Sequence, residues 1–214
     1  MILIIMPRFI FVVVLLSYVG ICQAQHFEGK ITYKNHYKSN IPNIPDEQFG
    51  LLMGTHQEYF IKGGDYKTST DGKFFQWQIY RNSENKIYSK LSNADAIYYN
   101  DAAINPDEVI KSELKKDVAT VAGYQCDQLI LTCKSGTQEY FFSSKLSLDP
   151  TLFKNFKFNN WYEFVSRAKS IPLKMIIQTA QFTVHSEAVD VKAMALDKSL
   201  FTLPEHAKIE KSPY

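Results

Sequence analysis

Apolar and polar residues alternate along most of this chain, which is the period of a strand. In His26 to Lys38, Phe27, Gly29, Ile31 and Tyr33 fall on one side and Glu28, Lys30, Thr32 and Lys34 on the other. That pattern predicts a strand buried on one face. A proline-punctuated loop follows, and then Asp46 to Met53 reads as a short helix with Pro45 and Asp46 at its start and Gly54 at its end. A meander comes next: His56 to Lys62, the Gly63-Gly64 turn, Asp65 to Thr70, the Asp71-Gly72 turn, Lys73 to Arg81, Lys86 to Leu91 and Ala96 to Asn100. Turn signals every few residues argue for antiparallel pairing and against βαβ units.

The second half is organised around Val118 to Ser144, a predicted hairpin. One strand enters at Ala122-Gly123-Tyr124 and runs through Leu129-Ile130-Leu131; Lys134-Ser135-Gly136 turns the chain, and Gln138 to Ser144 returns. Before it, Asp101 to Lys116 mixes acids and lysines with scattered apolar residues and predicts at most a helical turn after Pro106. After it, Asp149 and Pro150 mark a helix start, and the apolar residues from Leu152 to Val165 predict one long helix to Ala168, apolar on more than one side. Leu173 to Gln178 and Phe182 to Leu196 alternate again as strands. The tally is about ten strands, one long helix and one or two short ones. The fold class this implies is α+β: a large curved antiparallel sheet, a half-barrel, with one long helix packed on the concave face.

Composition narrows the setting. An apolar run, Phe9 to Val19, follows Arg8, and Cys22-Gln23-Ala24 places small residues ahead of a cleavage point before Gln25. Residues 1–24 are therefore expected to be a secretory signal, with 25–214 a single domain and a periplasmic or secreted destination. Whether translation starts at Met1 or Met6 stays open. Arg8 is the one charge in that segment, so the mature chain carries 23 basic against 22 acidic residues. Near-neutrality without a basic tract gives no reason to expect a nucleic-acid partner. Fifteen Phe, 13 Tyr and 2 Trp favour strands and apolar pockets.

Reactive residues offer little chemistry. Cys126 and Cys133 lie seven residues apart on one predicted strand, roughly 23 Å along an extended chain, beyond the ~7 Å Cα separation a disulfide tolerates. Their odd spacing predicts opposite faces, and packing as small apolar residues is the favoured role over redox chemistry. His26, His36, His56, His185 and His206 show no metal-ligand spacing, although strand pairing could bring His36 to His185. Asp46/Glu47 and Asp107/Glu108 fall at expected helix starts, where they complement the dipole. No nucleophile elbow or phosphate loop is present, so no catalytic residue, metal or cofactor is expected.

Five segments together resemble a known group: FEGKITY (27–33), EYFIKGGDYKT (58–68), VAGYQCDQ (121–128), SIPLKMII (170–177) and AVDVKAMALDKSLFTLPEHAKI (188–209). In order and spacing the chain resembles an uncharacterised family of secreted envelope proteins, a domain of unknown function, related in fold to the LolA/LolB-type lipoprotein carriers. The resemblance runs from Phe27 to Ile209. It implies a curved antiparallel sheet wrapped around helices. In the carriers the concave apolar face holds acyl chains, and they have no catalytic residue to carry over.

The aromatic faces carry the functional reading. Phe75, Trp77 and Ile79 are expected on one strand face, Leu173, Met175 and Ile177 on another, and Phe156, Trp161 and Phe164 on the helix between or over them. The expected function is non-enzymatic: a lipid, acyl chain or other apolar ligand held in the sheet concavity. The rival is a structural or interaction protein of the cell envelope, with a filled core, no ligand and an envelope protein as partner. An enzyme is the third reading and would need polar groups converging in a cleft.

Overall fold

The computed structural model describes residues 26–213. The predicted signal segment and its cleavage point lie outside the described residues. The first half holds β1 (Gly29–Ser39), α1 (Asp46–Met53), β2 (His56–Lys62), β3 (Asp65–Thr70), β4 (Phe75–Arg81), β5 (Lys86–Leu91) and β6 (Ile97–Asp101). The second holds β7 (Val109–Val121), β8 (Tyr124–Cys133), β9 (Thr137–Ser147), α2 (Trp161–Ala168), β10 (Ser170–Gln178), β11 (Phe182–Ala193) and β12 (Ile209–Lys211). These twelve strands form one sheet in the order β12-β6-β5-β4-β3-β2-β1-β11-β10-β9-β8-β7. Pairing is antiparallel except for β12, which lies parallel to β6.

The fold is mainly β, and three expectations need correction. The Pro150–Ala168 helix is not continuous: a 3-10 turn (Pro150–Phe153), a second (Phe158–Asn160) and the eight-residue α2 replace it. Asn159 (φ 50°) and Asn160 (φ 60°) stand in succession in the left-handed region, which no right-handed helix accommodates and which asparagine tolerates best among residues with a side chain. Asp149 does cap the first turn, its carboxylate accepting the Thr151 N–H at 2.9 Å. Next, the mixed stretch after Pro106 forms β7, thirteen residues long, rather than a helical turn. Finally, Ala122 (φ 48°) and Gly123 (φ 80°) form the tight turn of a β7–β8 hairpin.

The β1–β11 ladder joins the two halves, with Gly29 opposite Ala193 and Ser39 opposite Phe182. Gly29 is needed there, because a Cβ would lie 2.1 Å from the Lys192 carbonyl oxygen. Beyond this seam the sheet curls sharply. β7 stands four places from β11, roughly 19 Å at normal strand spacing, yet the two strands approach within 8 Å between Cα atoms. The main core lies inside this curl, where Ile31, Tyr33, Leu129, Leu131, Phe153 and Phe164 are all buried.

The C-terminal segment covers the opposite face of the meander. A 3-10 helix, Lys198–Phe201, packs against β3 and β4 with Phe201 buried. Its anchor is Glu28, whose Oε1 accepts from Lys62 Nζ at 2.7 Å and from the Leu196 N–H at 2.6 Å; Lys62 also donates to the Leu196 carbonyl. The Lys62 hydrogen bond and then the Leu196 N–H hold the Glu28 carboxyl below its ordinary range, against the opposing effect of burial.

Two outcomes test this frame. Gly29→Ala should lower stability by about 2–3 kcal/mol in chemical unfolding, since backbone must move to admit the methyl. A depressed carboxyl pKa stabilises fully above the unfolded value near 4.3 and is lost as pH falls through the folded value. Glu28→Gln should therefore cost about 1 kcal/mol at pH 7, and its melting temperature should converge on that of the parent as pH falls to about 3.

Candidate functional site

A cavity of about 490 Å³ opens between the concave sheet face and the segment preceding α2. The strands dictate its wall. Alternation turns Tyr59 of β2, Tyr66 and Thr68 of β3, and Gln78 of β4 inward; on the other side Tyr140 of β9 and Met175 and Ile177 of β10 face them. Phe156 and Trp161 enter from the covering segment.

Asn160 sets that segment in place. It is 1% exposed, receives a hydrogen bond from Asn105 Nδ2 at 2.6 Å, and donates toward Cys133 Sγ (3.3 Å) and Gln138 Oε1 (3.4 Å). These contacts tie the covering segment to β8, to β9 and to the loop before β7. The aromatic rings form a continuous series across the concavity. Tyr59 stacks on Tyr66 (5.1 Å between centroids), Tyr66 on Phe156 (5.9 Å), and Phe156 leans on Trp161 (5.9 Å). Trp161 then meets Phe164, which stacks on Tyr140 at 4.5 Å.

Most polar groups in the wall are paired with one another. The Tyr33 hydroxyl donates to the Pro172 carbonyl (2.6 Å), Tyr66 to Gln78 Oε1 (2.6 Å), Tyr140 to Gln138 Oε1 (3.1 Å), and Gln57 Nε2 to Thr68 Oγ1 (2.8 Å). Asp107 accepts both the N–H and the hydroxyl of Ser135, which fastens the β8–β9 turn at the rim. Two wall atoms differ: the Tyr59 hydroxyl and the Trp161 Nε1–H are buried and have no hydrogen-bond partner among the described residues. Burial, reinforced by the neighbouring Tyr66 and Tyr33, pushes the Tyr59 pKa upward and keeps that hydroxyl neutral.

Of the residues expected at an apolar site, Phe156, Trp161, Met175 and Ile177 line the cavity. Phe164 and Leu173 are fully buried in the core beside it. A bulge between Phe75 and Trp77 splits the third group. Phe75 lines a smaller space of about 190 Å³ with Tyr37, Met53 and Phe182, whereas Trp77 and Ile79 face outward, Ile79 being buried on that side. The tyrosines at 33, 59, 66 and 140 escaped sequence reasoning. The alternation in each strand held the signal, but in β4 the set expected to face the ligand, Trp77 and Ile79, turns outward and the set with Gln78 and Tyr80 turns inward.

The reactive residues are placed conservatively. Cys126 and Cys133 share one unbroken strand, both free and buried in the main core. Burial, aided by Asp107, pushes the Cys133 thiol up to about 11, and burial raises Cys126 as well. His36 and His185 do stand opposite one another in the β1–β11 register, both exposed. No cluster of three or more His, Cys, Asp or Glu side chains suited to a metal ion occurs among the described residues. No helix among the described residues is long and apolar enough to cross a membrane.

Comparison with known proteins fixes the family. The model of a domain of unknown function, DUF4412, matches residues 76–206, more than half of the chain. The chain belongs to the DUF4412 family. No curated protein matches it. Among solved structures, "Structure of PNGF-II in P21 space group" aligns at 15% identity and a TM-score of 0.48 over 87% of the DUF4412 chain; the chain spans only 32% of that protein.

Neutral, buried thiols do not react as thiolates. Iodoacetamide at pH 8 should leave Cys126 and Cys133 unmodified in the folded protein by peptide mass spectrometry, and label both once the chain is unfolded in guanidinium.

Proposed function

We propose that this DUF4412 protein is a non-enzymatic binding protein that holds an apolar ligand between the concave sheet face and the Phe156–Trp161 segment. One observation carries the reading: the cavity of about 490 Å³, within the ~300–1,000 Å³ usual for small-molecule sites and walled mainly by aromatic and aliphatic side chains. The driving force is removal of apolar surface from water, about 25 cal/mol per Å². The arrangement parallels the LolA/LolB-type carriers in architecture only, as a ligand held in a curved sheet. The apolar N-terminal run supports a periplasmic or secreted setting, and the two buried thiols suit an oxidising compartment, since neither is exposed for pairing.

A second reading has its own observation. β7 is an edge strand, and Ile110, Leu114 and Val118 along it are 66%, 49% and 41% exposed. Such an edge suits strand addition by an envelope protein partner, although its lysines guard against indiscriminate pairing.

The cavity reading is tested with N-phenyl-1-naphthylamine, a neutral apolar dye whose emission rises on leaving water. Saturable enhancement should appear with the native protein, and Met175→Trp, which fills the space, should weaken it at least tenfold while the melting temperature holds. Native mass spectrometry of protein purified from envelope extracts should show a co-purifying small apolar molecule. Absence of both signals would overturn the proposal.

A further inference from the structure

The chemistry of the cavity wall points to one class of ligand. Among the described lining residues there is no Lys, Arg or His, and the one carboxylate is Asp107 at the rim. An ionised fatty acid or phosphate headgroup would meet no cation there and would face a like charge. An unpaired charge removed from water is strongly disfavoured. The lining glutamines do not replace a cation: Gln57 and Gln78 use both ends of their amides on neighbouring side chains, and Gln138 and Gln178, held through Oε1, carry only neutral amide donors.

The unpaired groups point the same way. The indole N–H of Trp161 can only donate, and the Tyr59 hydroxyl, on a side chain 9% exposed, has a proton to give and nothing to receive it. Both residues line the cavity, whereas the hydroxyls of Tyr33, Tyr66 and Tyr140 in the same wall are all satisfied. Buried donors without partners are rare in folded proteins and mark a place where something else completes the bond. An acceptor oxygen on the ligand would do so; a purely hydrocarbon or cationic ligand would not.

Resting on the binding reading above, we propose that the cavity selects an electrically neutral amphiphile bearing an acceptor oxygen (a fatty alcohol, ester or ketone) over ionised fatty acids and cationic amphiphiles, with Tyr59 and Trp161 as the donors that recognise it.

The test displaces N-phenyl-1-naphthylamine at pH 8 with four ligands of one chain length: dodecanol, methyl laurate, laurate and dodecyltrimethylammonium, each affinity normalised by its partition into octanol. Dodecanol and methyl laurate should bind at least about tenfold better than the two ions on that scale. Tyr59→Phe and Trp161→Phe should each lose about five- to tenfold more on dodecanol than on the dye, the order expected for one buried hydrogen bond. Tyr59→Phe without ligand should melt no lower than the parent, because it removes an unsatisfied hydroxyl. Laurate or the ammonium binding as well as dodecanol, or both variants retaining full dodecanol affinity, would overturn the inference and leave the cavity reading intact. Failure of the dye to bind at all would remove the binding reading and this inference with it. The selectivity of the parent protein is measured independently of how either variant folds.

Discussion

The β1–β11 ladder is the pairing on which the rest depends. It joins residues near opposite ends of the described chain, Gly29 with Ala193, and without it the meander and the second half would be separate sheets. The close backbone approach at Gly29 shows how tightly the seam is drawn. Each half then offers inward side chains to a common space. Tyr33 of β1 shows the coupling directly: its hydroxyl reaches across to the Pro172 carbonyl of β10. A curl strong enough to bring β7 back toward β11 cannot remain open to water on its apolar side, so something must cover it.

The cover is irregular, and its irregularity shapes the cavity. A straight helix from Pro150 to Ala168 would rise about 1.5 Å per residue in one direction. The double left-handed step at Asn159 and Asn160 instead redirects the chain. Phe153, Phe164 and Val165 then fill the strongly curled side, while Phe156 and Trp161 roof the space over β2 to β4. The hydrogen bonds of Asn160 hold this bend to β8 and β9. Filled core and cavity are thus two sides of one covering segment. Phe156 ties the cover to the meander, stacking on Tyr80 at 4.2 Å and on Tyr66 at 5.9 Å between centroids.

Where a strand has one wet face and one dry face, its sequence was readable. β1, β2 and β3 follow the alternation, and α1 runs from Asp46 to Met53 as its flanking residues indicate. Legibility failed where that contrast is absent. β7 is exposed along nearly its whole length, so its acids and lysines mimic a loop. In β4 the apolar pair Trp77 and Ile79 faces outward, where the C-terminal segment covers that side, and Gln78 and Tyr80 face inward, so the apolar pattern pointed to the wrong face, and the bulge after Phe75 divided the residues expected to share one. The aromatic residues from Leu152 to Val165 have helix-like density, and only the Asn159-Asn160 pair hinted at the break. Half of the cavity wall was therefore visible as apolar residues on the cover and β10. The tyrosine half was hidden in strands whose orientation depends on the whole sheet.

Local rules of stability are kept almost everywhere else, which gives the cavity its weight. Exposed charges pair along the strands, as Lys30 does with Glu58 and Lys174 with Glu187. The buried serine Ser170 bonds to the Ser143 and Leu146 carbonyls. The histidines and thiols sit where ordinary packing and solvation explain them. Against that background, a space walled by aromatic rings, with two donors left unmatched in its lining, runs counter to the close packing and polar satisfaction of the surrounding fold. A chain consistent at every other level tends to break its own rules where function requires it. The concavity, rather than the cysteine-bearing strand or the facing histidines, is where that departure is concentrated.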